Sequence, residues 1–248
     1  MLDIYYFPTP NGRKIAILLE ELGVAYTIKM VHIGRGDQFH PDFLRISPNN
    51  RMPAIVDHAP KGGGGPVSVF ESGAIMMYLA EKEGRFWPQD LRKKYDVAQW
   101  VFWQMGNQGP KMGEHGHFHR ADAENKHGDL GYPLKRFDNE VHRLYGVLNL
   151  GLFEKEWLAA GEYTIADMIC YPWAALAKDR GIDIAEFPNV QRWLEKLGER
   201  PAMKKALEIG KDVYQGQDKL SPAEREKYAR ILANQRAVPI PDAWKKNA

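Results

Sequence analysis

The hexapeptide Met52-Pro53-Ala54-Ile55-Val56-Asp57 opens on a proline and runs into apolar, partly β-branched residues. That is the pattern of a strand beginning where a missing N–H is tolerated. A glycine run, Gly62–Gly65, separates it from a second strand-like stretch, Val67-Ser68-Val69-Phe70. So short a connection makes the two antiparallel. Glu71-Ser72-Gly73 then starts a helix in which Ile75, Tyr78, Leu79 and Lys82 share one face, ending near Gly84. The unit is ββα.

Upstream, Leu2–Phe7 is rich in Ile, Tyr and Phe and stops at the turn signal Pro8-Thr9-Pro10-Asn11-Gly12. Ile15, Leu18, Leu19 and Leu22 recur at helical spacing, with Gly23 placed for a left-handed cap. Tyr26–Ile33 alternates as a second strand, which completes a βαβ unit with parallel strands and a right-handed crossover. A βαβ followed by a ββα is the order of the thioredoxin fold. From about residue 90 strand signals give way to amphipathic patterns such as Phe137, Val141, Leu144, Tyr145 and Leu148. Thr164-Ile165-Ala166-Asp167 and Ser221-Pro222-Ala223-Glu224 are helix starts, the latter helix running to about Gln235. The expected architecture is an α/β thioredoxin-like N-terminal domain over 1–86, an all-α domain over 90–210, and a C-terminal extension over 211–248 carrying one helix.

Composition narrows the function classes. Of 248 residues, 44% are hydrophobic and 27% charged, which is ordinary for a globular chain and argues against a disordered chain or a collagen-like or coiled-coil rod. The net charge of +2 is spread along the chain without a basic stripe, which argues against nucleic acid as the main partner. Apolar runs such as Ala74–Ala80 are far short of the roughly 20 residues that cross a membrane. The N-terminus lacks a basic, then apolar, leader pattern, so the expectation is a cytoplasmic protein with no membrane partner. A single cysteine, Cys170, rules out an intrachain disulfide or a protein dithiol. Among Ile165, Met168, Ile169 and Trp173 it reads as a packed side chain rather than a nucleophile.

Four stretches together resemble the cytosolic glutathione transferase superfamily, most nearly its bacterial nu class. They are Tyr6-Phe7-Pro8-Thr9-Pro10-Asn11-Gly12, Gln38-Phe39, Ser47-Pro48-Asn49-Asn50-Arg51 continuing through Asp57, and Phe70 through Ile75. Ile165-Ala166-Asp167 and the aromatic helix around Trp100 and Trp103 extend the similarity. It covers roughly residues 1–210 and leaves the tail aside. The resemblance implies glutathione as co-substrate, no metal, a homodimer, and a cis bond at Met52-Pro53 with the Met52 backbone pairing the cysteinyl unit. Without it, a trans bond at a strand start is the ordinary reading.

The residues themselves support several of these roles. Glu71-Ser72 sits at a strand end and helix start, where free N–H groups favour a carboxylate and an acid can hold an ammonium. The γ-glutamyl unit carries both groups, although a simple helix cap fits Ser72 equally. Glutathione chemistry also needs a thiolate. Lowering a thiol pKa by about two units takes about 2.7 kcal/mol, and hydrogen bonds to a charged acceptor supply roughly 1.5–3 kcal/mol each. Thr9 and Asn11 are the donors available after the first strand, as in the nu class, whereas Tyr5 and Tyr6 lie within it. A plain turn is the alternative reading of that stretch. By resemblance, Gln38 meets the glycyl end and Arg136 faces the ligand from the helical domain.

His115, His117 and His119 form an alternating trio with Gly113 and Gly116 nearby. The glycines suggest a loop, and the expected role is to line the second-substrate cleft rather than to bind metal, since no cysteine accompanies them. Trp100, Phe102, Trp103 and Tyr171-Pro172-Trp173 read mainly as core, with some walling an apolar pocket. The resemblance implies glutathione-dependent disulfide reduction acting on a small disulfide, with glutathione or its disulfide bound and peroxidase or weak transferase side activity. Conjugation of an electrophile and a non-catalytic, regulatory glutathione-binding role are the alternatives.

Overall fold

A computed structural model describes residues 1–124, 127–214, 221–233 and 239–245. The N-terminal part holds a four-stranded mixed sheet in the order β2-β1-β3-β4, with β1 Leu2–Tyr6, β2 Tyr26–Met30, β3 Ala54–Asp57 and β4 Val67–Phe70. β1 and β2 are parallel, while β3 is antiparallel to both β1 and β4. Helix α1, Pro10–Leu22, makes the crossover, capped by the Thr9 hydroxyl at its start and by left-handed Gly23 at its end. β2 stops at Met30, three residues before the expected end. After Val31 donates to the Tyr6 carbonyl (2.9 Å), the chain turns through 32–36, where Gly36 has φ 87°.

The sequence reading passed over one helix of the N-terminal part. Helix α2, Pro41–Ile46, is capped by His40 with proline in its first turn, a start signal hidden in a polar stretch. Before it a single 3-10 turn, Asp37–Phe39, carries Gln38. α3, Ser72–Glu83, follows β4. Its Tyr78 and Lys82 side chains both donate to the buried Asp57 carboxylate, at 2.7 and 2.6 Å, and so pin α3 to the end of β3.

The remainder is helical: α4 Leu91–Trp103, α5 Gly109–Ala123, α6 Gly131–Gly151, α7 Ile165–Ala174, α8 Pro188–Gly198 and α9 Pro201–Glu208. A π-turn over Gln104–Gln108 joins α4 to α5, a local widening often found beside functional sites. α7 begins with the expected capping box, Asp167 accepting from the backbone of Thr164 and Leu158 and from the Trp193 indole. α6 buries Val141, Leu144, Tyr145 and Leu148. One apolar core runs through both parts, because α1 packs on α3 of the first and on α7 and α9 of the second. Bidentate Arg200–Glu21 bonds of 2.6 and 2.8 Å reinforce that seam.

The tail departs from the expected single helix. Among its described residues are three helices: α10 Lys211–Tyr214, α11 Pro222–Ala233 and α12 Asp242–Lys245. Residues 234–235, where the sequence reading placed the end of its helix, lie outside the described residues. The tail folds back on the first domain, with the Tyr228 ring against Gly34, where an added Cβ would lie 1.8 Å from it. Arg45 stacks on the Trp244 ring at 4.7 Å. Among the described residues no helix is long and apolar enough to cross a membrane.

Candidate active site

A cleft of about 860 Å³ opens where the ends of β1 and β3 face α5 and α7, within the range of small-molecule sites. Thr9, Asn11, Gln38, Met52, Pro53, Glu71 and Ser72 all line it. Arg136 does not. It lies with Lys111, Tyr132 and Lys135 in a separate basic pocket between α5 and α6, so within one chain the structure does not bring it to the other seven.

The first corner is built by the start of α1. The stretch expected as a turn is the first turn of the helix, with Thr9 as N-cap and Asn11 inside it. Asn11 Oδ1 accepts from Trp173 Nε1 at 2.9 Å. An indole nitrogen only donates, so this bond fixes which end of the amide is oxygen and leaves Nδ2 as a donor. The Thr9 hydroxyl accepts from Gly12 N at 3.4 Å and points its proton towards Met52 Sδ at 3.7 Å. Two side-chain donors at a helix N-terminus are suited to stabilise a thiolate. Tyr6 is unsuited to that task. It is fully buried, its hydroxyl donates to the Ile209 carbonyl at 3.1 Å, and burial pushes its pKa up to about 12.

The second corner lies at the start of α3. Glu71, at φ 71° and ψ 118°, is the N-cap residue, and its carboxylate accepts from Asn49 Nδ2 at 3.0 Å. A positive φ on a glutamate is a local cost that persists where the surroundings fix it, typically at functional sites. Ser72 is therefore not the cap. Its hydroxyl accepts from Lys14 Nζ at 3.1 Å, and Lys14 also donates to Gln104 Oε1 at 2.5 Å. Lys14 is fully buried, and desolvation lowers its pKa to about 7, against the raising influence of Cys170 and Glu71. The helix N-terminus and the Lys14 amine together suit a carboxylate, and Glu71 beside them suits an ammonium. Lys14 and Gln104 escaped the sequence reading, though a lysine three and four residues before Ile17 and Leu18 interrupts the apolar stripe of α1.

The third corner is Gln38, nearly fully buried, whose Nε2 donates to the Ile33 carbonyl at 3.2 Å. Its Oε1 has no partner among the described residues, leaving a buried acceptor beside the cleft for a ligand N–H. The Met52-Pro53 bond is cis, as the resemblance implied. Since the β3 ladders begin at Ala54, Met52 lies outside both of them. Tyr228 of the tail closes this end beside Ile33. Five basic side chains (Arg13, Lys14, Arg51, Arg120, Arg180) and three acidic ones (Glu71, Glu114, Asp179) line the cleft, a balance that suits an anionic ligand.

Two further expectations are corrected, and one holds. His115, His117 and His119 sit on helix α5, not a loop, and the cleft is lined instead by their neighbours Gly113, Glu114 and Arg120. Of the two glycines, Gly116 makes room for the Arg180 guanidinium, which a Cβ there would approach to 2.5 Å. Phe102 is 66% exposed rather than core, and of the aromatic set only Trp173 lines the cleft. Cys170 is fully buried as expected, and burial raises its pKa well above the usual thiol range.

Comparison with known proteins agrees with this geometry. Residues 2–81 match the glutathione S-transferase N-terminal domain and residues 118–201 the C-terminal domain. The disulfide-bond oxidoreductase YfcG of Escherichia coli K12 is 46% identical over 207 residues, covering 84% of this chain and 94% of that protein. A Pseudomonas fluorescens glutathione transferase family member, solved with two glutathione bound, superposes with a TM-score of 0.77 at 41% identity, covering 84% of this chain and 92% of that one. A Pseudomonas putida glutathione transferase with one glutathione disulfide per subunit gives 0.76 at 41% identity, over 84% and 91% of the two chains. The chain belongs to the glutathione S-transferase family.

Proposed function

We propose that this protein is a glutathione-dependent disulfide oxidoreductase, and the observation that carries the reading is the Trp173–Asn11 bond. It aims an amide donor into a cleft whose only cysteine neighbour, Cys170, is sealed in the core. The reacting sulfur therefore belongs to the ligand. The γ-glutamyl carboxylate sits at Ser72 above Lys14, its ammonium at Glu71, the cysteinyl backbone along Met52 before Pro53, and the glycyl end near Gln38. Thr9 and Asn11 then hold the sulfur as thiolate.

The chemistry balances without a protein thiol. A glutathione thiolate attacks one sulfur of the substrate disulfide, forming a mixed disulfide and releasing the other sulfur as a thiolate that takes up a proton. A second glutathione thiolate attacks the glutathione sulfur of that mixed disulfide, giving glutathione disulfide and the second substrate thiol. Two electrons pass from two glutathiones to the substrate. The pair of glutathiones and the glutathione disulfide in the two Pseudomonas structures are the reactant and product states of such a cycle, which supports this reading over simple conjugation.

The homodimer reading is supported by Leu91, Tyr95 and Phe102, which expose a row of large apolar side chains along α4. A small disulfide is the substrate that fits the remaining cleft, and the cytoplasm, where glutathione is reduced, is the matching compartment. Crystals soaked in glutathione test the site. Density for the ligand sulfur within hydrogen-bond reach of Asn11 Nδ2 supports the assignment, and a tripeptide bound with its sulfur away from that corner overturns it.

A further inference from the structure

Outside the cleft, α5 and α6 bring together three metal-ligating side chains that glutathione chemistry does not use. His115 and His119 are one turn apart on α5, their rings 4.3 Å between centroids. Both Nε2 atoms face one oxygen of Asp138 on α6, at 3.1 and 2.7 Å. One ligand atom from each residue lies within 4.8 Å of the others. His115 is buried, whereas His119 and Asp138 are about half exposed.

Hydrogen bonding alone uses this arrangement poorly. Two imidazoles share one carboxylate oxygen, and the buried Nδ1 of His115 has no partner among the described residues. A cation placed between the three atoms would turn the same convergence into coordination. Zinc takes imidazole nitrogen and carboxylate oxygen at about 2.0–2.2 Å in a tetrahedral shell, whose ligand–ligand edges are therefore about 3.3 Å. To reach that edge the two histidine–carboxylate separations open by about 0.2 and 0.6 Å, a change that the half-exposed His119 and Asp138 side chains can make around the buried His115.

We propose that His115, His119 and Asp138 form a zinc-binding site between α5 and α6. Two imidazoles and one carboxylate favour zinc and neighbouring late first-row divalent ions over magnesium or calcium. Three protein ligands leave the fourth position to water on the exposed side. A bound ion ties α5 to α6 directly behind Glu114 and Arg120, the sequence neighbours of the two histidines that line the cleft. The site is thus a clamp on one cleft wall, separate from the thiol chemistry.

The test titrates zinc sulfate into the full-length protein, freed of metal with a chelator, by calorimetry and thermal melting. Wild type and His117→Ala, an exposed histidine on the same helix, should bind one zinc per chain and melt at a higher temperature with it. His119→Ala and Asp138→Asn should lose at least about tenfold in affinity, the scale on which even outer-sphere partners act. Magnesium should give no shift. Equal zinc affinity across all four proteins, or no binding to folded wild type, overturns the site. Anomalous scattering at the zinc edge from soaked wild-type crystals gives an independent reading: a peak among the three side chains supports the site, and its absence there refutes it.

Discussion

Trp173 Nε1 donates to Asn11 Oδ1 at 2.9 Å, joining residues 162 positions apart in the chain. The bond makes a helix of the second domain the orienter of a donor in the first. If Asn11 acts on the ionisation of the glutathione sulfur, Asn11→Ala should lower turnover about tenfold or more, the worth of one charge-assisted bond, with a much smaller change in glutathione affinity. The thiolate limb of its pH–rate profile should move to higher pH. Trp173→Phe should reproduce part of the shift, because the amide is then free to turn. Steady-state rates across pH 5.5–9 check both, and an unshifted profile would remove Asn11 from the mechanism.

Lys14 gives a prediction about protons. Its folded pKa of about 7 lies below the ordinary lysine value, so near pH 7.5 the ligand-free protein holds it mostly neutral. A bound carboxylate at Ser72 favours the charged form, so binding should take up a proton. The sign is visible with S-hexylglutathione, whose sulfur has no proton to release. Calorimetry at pH 7.5 in buffers of different ionisation enthalpy should show net uptake of a fraction of a proton, which vanishes in Lys14→Met. The same depressed pKa means that unfolding binds a proton between about pH 7 and 10.5, so this residue makes stability rise with pH over that window.

Glu71→Ala removes the partner of the γ-glutamyl ammonium. Glutathione affinity should fall by at least about 1.5 kcal/mol, the lower end for a charged hydrogen bond. Relief of the positive φ is not part of the change, since alanine is no freer there than glutamate. Calorimetry at fixed pH measures it, and an unchanged dissociation constant would exclude this role.

Cys170→Ala should leave glutathione-dependent turnover within about twofold of wild type, while costing on the order of 1 kcal/mol of stability for the small cavity left in α7. Loss of turnover in a variant that still folds, as judged by circular dichroism, would mean that a protein sulfur takes part.

Most of the frame was legible because it rests on local signals. The proline and β-branched residues of 52–57 marked β3, the glycine run marked the hairpin, and the apolar stripe from Ile15 to Leu22 marked α1. The site was legible where its chemistry sits in contiguous motifs, at Thr9-Pro10-Asn11, Met52-Pro53 and Glu71-Ser72, and Gln38 came by family resemblance. Lys14 was missed because its meaning comes from Ser72 and Gln104, which are distant in sequence. The histidine stretch was misread as a loop because Gly116 reports a close approach of Arg180 rather than a turn. Arg136 was carried to the ligand by family resemblance, and the fold of one chain places it elsewhere. Tyr228 belongs to a tail whose amphipathic signal is weak, and only its packing on Gly34 brings it to the cleft.

The central claim is that two glutathiones, not a protein thiol or a conjugated electrophile, carry the reaction. Measuring glutathione-dependent reduction of hydroxyethyl disulfide and conjugation of glutathione to 1-chloro-2,4-dinitrobenzene in parallel, on one preparation at one pH, tests it most directly. The account predicts a kcat/KM for disulfide reduction at least about 100-fold above that for conjugation, a difference of about 2.7 kcal/mol in barrier. Conjugation as the faster reaction, or neither activity in a protein that binds glutathione tightly, would contradict it.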